Sequence, residues 1–208
     1  MAITNYTELQ TALSNWLARS DLTSRIPEFI ALGEALLNRE IKHPEMVTEA
    51  TVSTSTSTRY AALPTGFLEL QSLIDTYGDP LVQVSSEEAK SASVGAGTGL
   101  PAFFAISSQF EFDCVSNQVY SLTCFYRKKL SIANDSTNWL LTKYPDAYLY
   151  ASLLQAQPFL RNDPRVPMLA QLLDGVISNV NSVSKNRRKL RVDEALTSNG
   201  GYNIVKGY

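Results

Sequence analysis

Two kinds of hydrophobic spacing alternate along the chain, and the switches between them divide it into stretches. Over residues 5–20, Leu9, Leu13, Trp16 and Leu17 fall on one face at helical spacing. Asn5 and Glu8 stand at capping-box spacing ahead of that face, with Asn in place of the usual Ser or Thr. A second helix is predicted from Ile26 to Lys42. Pro27 sits in its first turn, where a missing N–H costs nothing, and Pro44 stops it. Its stripe is Ile26, Phe29, Ile30, Gly33, Leu36, Leu37 and Ile41. Gly33 on the stripe reads either as a close approach of another helix or as a tolerated small residue. The short link from Leu17 to Ile26 predicts antiparallel packing of these two helices.

From residue 46 to 130 the period drops towards two. Thr48 to Tyr60 is rich in Thr, Ser and Val with little apolar face, which predicts an exposed or edge strand. Leu63 to Phe67 reads as a turn, Leu68 to Tyr77 as a strand, Gly78 to Pro80 as a turn and Leu81 to Val84 as a short strand. Ser85 to Ala92 is a short polar helix whose Ser-Ser-Glu-Glu start suits an N-terminus. Ser93 to Leu100 holds Gly95, Gly97 and Gly99, but no strand leads directly into it and no apolar helix follows, so it reads as a loop rather than a phosphate cradle. Phe104 to Ile106, Gln109 to Val115 and Val119 to Arg127 alternate as strands, and Ser116-Asn117-Gln118 is predicted to join the last two as a hairpin.

Helical spacing then returns. A helix begins over Thr142 to Asp146 with Pro145 in its first turn, and its apolar residues (Ala147, Tyr148, Ala151, Leu154, Phe159) spread onto several faces. Such a helix is either central or covered by a partner chain. Pro158 bends or ends it. Asp163 and Pro164 open a last helix, the most regular in the chain, carrying Leu169, Leu172, Leu173, Val176, Ile177, Val180 and Val183. Beyond about Val192 the periodicity stops. The pattern therefore predicts an α+β fold. A helical domain of about four antiparallel helices (1–45 and 131–191) is interrupted by a β-rich insertion domain (46–130) and followed by an extended C-terminal arm (192–208).

Composition adds little push of its own. The 208 residues carry a net charge of −2, with 44% apolar residues, enough for a core but no global pull towards nucleic acid or membrane. No run approaches a membrane span, and the first residues lack the basic and apolar regions of a secretion signal, so a soluble cytosolic product is expected. Cys114 and Cys124 would sit offset across the predicted hairpin and read as two small buried hydrophobes rather than a disulfide.

Candidate chemistry is sparse. His43 is the single histidine, it stands before Pro44, and with Cys114 and Cys124 it has no zinc-ligand spacing. Its plainer reading is a helix-end residue favoured by the dipole. Glu28, Glu34 and Glu40 are read as surface residues of the second helix, and Glu87 and Glu88 point apart. Glu111 and Asp113 share a strand face and form the best acid pair, which keeps a peptidoglycan-cleaving virion enzyme as a rival reading. No cofactor or metal is expected, and the chain is not expected to be an enzyme. Lys185, Arg187, Arg188, Lys189 and Arg191 form the one conspicuous charged cluster. It reads as a helix end complementing the dipole, or as a contact for acidic protein or phosphate. A nucleic-acid-binding module is therefore a third reading, though no aromatics interleave with the cluster. The tail places Tyr202, Ile204 and Tyr208 where a purely solvating arm needs no apolar anchor.

Several stretches resemble the head-to-tail adaptor (connector) proteins of tailed phages. LQTALSNWLARSDLTSRIPEFIALGEALLNREI, from Leu9, looks like their opening helices, and YAALPTGFLEL, from Tyr60, like the start of their β-insertion. TNWLLTKYPDAYLYASLLQAQPFLRND, from Thr137, looks like their third helix, and GGYNI, from Gly200, like the C-terminal arm of tail adaptors of short-tailed phages. The resemblance implies a structural virion protein, made in the host cytoplasm, that forms a ring of twelve copies of itself. That ring would dock under the portal protein and above tail nozzle or tail fibre proteins and help to seal the channel. Genomic DNA would pass through without sequence-specific binding, and no membrane is involved. It implies that Lys185, Arg187, Arg188, Lys189 and Arg191, with Gly200, Gly201, Tyr202, Asn203 and Ile204 of the arm, contact the portal. The Ser93–Leu100 loop departs from the pattern, and no contact is carried onto it.

Overall fold

The computed structural model describes residues 3–160 and 164–198, with the backbone alone at 20, 134–135 and 183–198. In chain order the elements are α1 (Tyr6–Leu17), a 3₁₀ turn (Ser20–Arg25), α2 (Ile26–Glu40), a 3₁₀ turn (Pro44–Met46), β1 (Val47–Ser53), β2 (Tyr60–Ala61), β3 (Phe67–Ile74), β4 (Val82–Gln83) and α3 (Ser86–Ser93). Then follow β5 (Phe103–Ile106), β6 (Phe110–Phe112), β7 (Ser121–Lys128), α4 (Ile132–Asp135), α5 (Trp139–Lys143), α6 (Pro145–Gln155), a 3₁₀ turn (Gln157–Phe159) and α7 (Val166–Ser198). The fold is α+β. Its contacts divide it into two compact units, one of residues 1–44 with 130–208, the other of residues 45–129.

The helical unit is organised around α6, which packs on α1, α2, α5 and α7. Ala147, Tyr148, Leu149, Ala151, Ser152 and Leu153 are all buried, so its apolar residues on several faces mark a central helix. The main partner of α2 is α6 rather than α1, to which the short link had pointed. Gly33 resolves as a close approach, since a Cβ there would lie 2.9 Å from the Ser152 backbone nitrogen. The chain breaks between α5 and α6 at Tyr144 (φ −138°), instead of running one helix through from Thr142. A residue before proline is pushed out of the helical region, and Tyr144 precedes Pro145. At the start of α1, Asn5 Oδ1 accepts from the Glu8 backbone N–H at 2.9 Å. Glu8 reaches one residue further back than a capping box requires, accepting from Thr4 N and Oγ1, each at 2.7 Å. On α7, Leu169, Leu173 and Val180 are buried while Leu172 is half-exposed. The helix continues to Ser198, past Val192 where the arm was expected to begin.

The β unit has two sheets, ordered β1-β7-β3 and β2-β6-β5-β4. All pairings are antiparallel except β4 with β5. Both sheets feed one core: Val52, Leu73, Leu122, Cys124 and Tyr126 from the first, Ala61, Phe104, Phe110 and Phe112 from the second. The hairpin predicted across Ser116-Asn117-Gln118 does not form. Its two strands lie in different sheets, because each turns a fully apolar face inward and a single shared core accommodates both. Before that crossing the chain stays tied to β5 by Asp113 N–H on Phe103 O (3.2 Å) and to the loop ahead of β5 by Gly99 N–H on Val115 O (3.1 Å). After it, Tyr120 is fixed to the first sheet by its N–H on Thr54 Oγ1 (2.9 Å). The true tight turn is at Ser107, between β5 and β6. β1 is an edge strand pairing β7 alone, in keeping with its Thr- and Ser-rich sequence. Irregular register in β3, between Phe67 and Glu69 and again between Leu70 and Ser72, breaks the simple alternation expected there and leaves Leu68 exposed. The predicted short helix is α3, closed by a full capping box between Ser85 and Glu88.

Both cysteines are free thiols. Cys124 is fully buried, and burial pushes its thiol up to about 11. Cys114 is half-buried, with its Sγ 3.7 Å from Gly99 O, and burial, then the Asp113 carboxylate, raise its thiol as well. Alkylation of the native protein should therefore modify Cys114 slowly and Cys124 only after unfolding, as read by mass spectrometry of labelled peptides. A thiol raised in the folded state binds its proton more tightly there than when unfolded. Its contribution is complete below about pH 9 and is lost as pH rises from there to about 11.

Candidate interaction surface

The strongest sequence candidate lies on the second half of α7. The backbones of Lys185, Arg187, Arg188, Lys189 and Arg191 are helical, and their side chains lie outside the described residues. Gly200, Gly201, Tyr202, Asn203 and Ile204 lie wholly outside them. The anchor of this segment is described. Asn181 accepts the Lys42 N–H through Oδ1 at 2.8 Å and donates through Nδ2 to Glu40 O at 3.0 Å. One amide thus satisfies an otherwise open carbonyl at the end of α2 and fixes α7 against it. The basic cluster begins one helical turn later, so the root of that segment is held while its charges follow in sequence.

A buried polar network holds the helical frame where the chain returns to it. Asn38 Oδ1 accepts from Leu130 N–H at 2.7 Å, and Asn38 Nδ2 donates to Leu130 O at 3.2 Å. Glu34 Oε1 accepts from Ile132 N–H at 2.8 Å and from the Tyr148 hydroxyl at 2.9 Å. Asn138, the N-cap of α5, donates to the Tyr148 hydroxyl at 2.6 Å. Burial, and then the Glu34 carboxylate, push the Tyr148 phenol far above its ordinary range, so it stays a donor. Reading Glu34 as a surface residue is therefore corrected: it is buried, and its carboxylate has a structural task. The signal was present in the sequence, because Glu34 and Asn38 stand one turn apart and flank Leu37 on the apolar stripe.

The chemistry candidates are taken up by structure. His43, expected as a helix-end residue, follows the end of α2, where it is buried and its ring stacks on Trp139 with centroids 4.6 Å apart. Glu111 accepts from the Ser107 hydroxyl at 2.7 Å and pairs with Arg59 at 3.5 Å. Asp113 accepts from Ala102 N–H at 3.2 Å. Each acid therefore braces its own strand. Among the described residues no group of three His, Cys, Asp or Glu could hold a metal. Nor is any described helix long and apolar enough to cross a membrane. A shallow open groove of about 290 Å³ beside α1 is lined by Gln10, Thr11, Ser14, Asn15, Thr23 and Ile26, none of them titratable.

One surface escaped sequence reading because its members are up to 149 residues apart. Arg19 donates to Phe159 O at 3.0 Å, and the Arg25 guanidinium lies 5.0 Å over the Phe159 ring. Arg165 donates to Trp16 O at 3.4 Å. Trp16 and Phe159 are 41% and 37% exposed, so two large aromatics and three arginines meet at the surface between the end of α1 and the start of α7.

A family model described as SU10 adaptor protein matches residues 4–193, spanning both units and all but the last turns of α7. No curated protein matches the chain.

Proposed function

The chain belongs to the SU10 adaptor protein family, and from that premise we propose that it is a non-catalytic structural subunit of a phage virion, forming the ring that joins portal to tail. The observation that carries this reading is the extent of the family match, which takes in the helical frame, the β unit and the basic part of α7 together. A ring of identical subunits needs one patch that meets a different patch on its neighbour. In this reading the helical unit is the body of the ring, residues 46–130 are an insertion domain directed to neighbouring virion proteins, and twelve copies complete the ring. Tail nozzle or fibre proteins bind below, and genomic DNA passes through without being read.

The portal contact falls to Lys185, Arg187, Arg188, Lys189 and Arg191 and to the residues after them. The Asn181 clamp supports this assignment, because a helix held at its root loses less freedom when its far end docks. Deleting residues 192–208 should leave a folded chain, with circular dichroism close to that of the intact protein, that no longer co-sediments with portal. Portal binding unchanged by the deletion would remove the assignment.

A further inference from the structure

Helix α2 has apolar residues on two sides, and only one side is used inside the chain. Phe29, Ile30, Gly33 and Leu37 are buried in the helical unit. On the opposite side Glu28, Leu32, Ala35 and Arg39 follow one another at i, i+4, i+7 and i+11, the spacing of a straight seam along a helix. All four are exposed, Leu32 by 49%. Ala31, also exposed, and Leu36, half-buried, lie on the two flanks of the seam. Glu28 pairs with Arg25 at 3.5 Å, and both side chains are more than half exposed. Arg39 has no hydrogen bond or ion pair among the described residues. The seam therefore has an apolar middle, a carboxylate at its N-terminal end and an unpaired guanidinium at its C-terminal end. Those signs suit the dipole of α2 itself, so the free chain carries them without strain.

We infer that this seam pairs antiparallel with the same seam of a second copy, across a two-fold axis. The order of the charges selects the occupant. With the axis at the level between Gly33 and Glu34, Glu28 comes to the level of Arg39 of the second copy, and Leu32 to the level of its Ala35. Both pairs are centred on the same point of the helix, so a single offset satisfies them together, and each forms twice. A parallel second copy would instead set carboxylate on carboxylate and guanidinium on guanidinium, an arrangement that like charges oppose. Ala31 and Ala35 let the two helices approach, while Leu32 and Leu36 fill the space beside them. One helix from each copy is a small contact next to the roughly 1,200–2,000 Å² of a stable interface, so the pairing is weak and reversible. A two-fold contact closes at two copies, whereas a ring joins unlike patches. The pairing therefore lies outside the ring contact proposed above and stands independently of that reading.

The test is sedimentation equilibrium of the full chain at low salt, without portal, from about 1 μM to about 1 mM, the range of a weak contact. The unmodified chain should pass from its own mass of 23.0 kDa to twice that mass. Leu32→Glu should weaken the pairing roughly tenfold or more, because it sets a charge in the apolar middle. Glu28→Arg and Arg39→Glu should each weaken it severalfold, since each sets like charges together at both ends. Mixing these last two variants should restore pairing to at least the unmodified level, because the mixed dimer sets opposite charges at both ends. All three positions are exposed, so circular dichroism should match the unmodified chain in each variant. An unmodified chain that stays monomeric throughout overturns the pairing. So do folded variants that pair as the unmodified chain does, or a mixture that shows no rescue. Species larger than a dimer that ignore all three substitutions also overturn it, and they leave the ring reading standing on a contact elsewhere.

Discussion

Replacing Glu34 by Ala should destabilise the helical unit by about 4 kcal/mol and lower its melting temperature by roughly 10 °C or more. The carboxylate is buried, and among its interactions it accepts from the Ile132 N–H and the Tyr148 hydroxyl. Truncation leaves both donors without that acceptor. An unsatisfied buried donor costs about 1–3 kcal/mol, and the side-chain void adds to it. Glu34→Gln keeps an acceptor oxygen and should recover most of the loss. Tyr148→Phe should cost less than Glu34→Ala, because it removes one hydrogen bond while Ile132 keeps its own. Urea denaturation of the three variants checks the ranking. If Glu34→Ala proved as stable as Glu34→Gln, the network would not be what holds residues 130–132 to α2. The consequence for assembly is direct, because residues 130–132 are where the chain re-enters the helical unit.

Periodicity exposed the helical elements because each buries one stripe against α6. Leu9, Leu13 and Leu17 on α1, and Leu169, Leu173 and Val180 on α7, were legible for that reason. The spread of apolar residues over α6 was legible as well, although whether a sister helix or a partner chain covers them depends on packing that no local pattern encodes. Strand positions were also visible, but their partners were not. Gln109–Val115 and Val119–Arg127 alternate equally well whether they pair with each other or face each other across a core, and only the two-sheet arrangement decides. The site fared least well. The basic cluster stands out through local charge density, whereas the Trp16–Phe159 patch is assembled from residues that are unremarkable alone. Glu34 was misread because a carboxylate on a helix defaults to the surface, and its partners at 132 and 148 lie about a hundred residues away.

Two glycine substitutions should move stability in opposite directions. Gly33→Ala should destabilise the helical unit by about 2 kcal/mol, whereas Gly175→Ala should stabilise it by about 0.5–1 kcal/mol. Both glycines lie inside α-helices, so each gains the same helix propensity from alanine. At Gly175 nothing lies within 4 Å of the added methyl, and that gain is unopposed. At Gly33 the methyl would meet backbone atoms of α6, Ser152 N at 2.9 Å and both Ala151 C and Ser152 Cα at 3.1 Å. Backbone cannot rotate aside as a flexible side chain does, so α2 and α6 have to separate. That separation strains the Phe29, Ile30 and Leu37 packing and pulls on the bond from Tyr148 to Glu34. Overpacking of this kind costs about 1–3 kcal/mol, more than the propensity gain returns. Denaturant midpoints of the two variants against the unmodified chain give the signs. A stabilising Gly33→Ala would mean that α2 and α6 have room to spare, and the close approach would lose its role in setting the frame on which α7 and its basic segment are held.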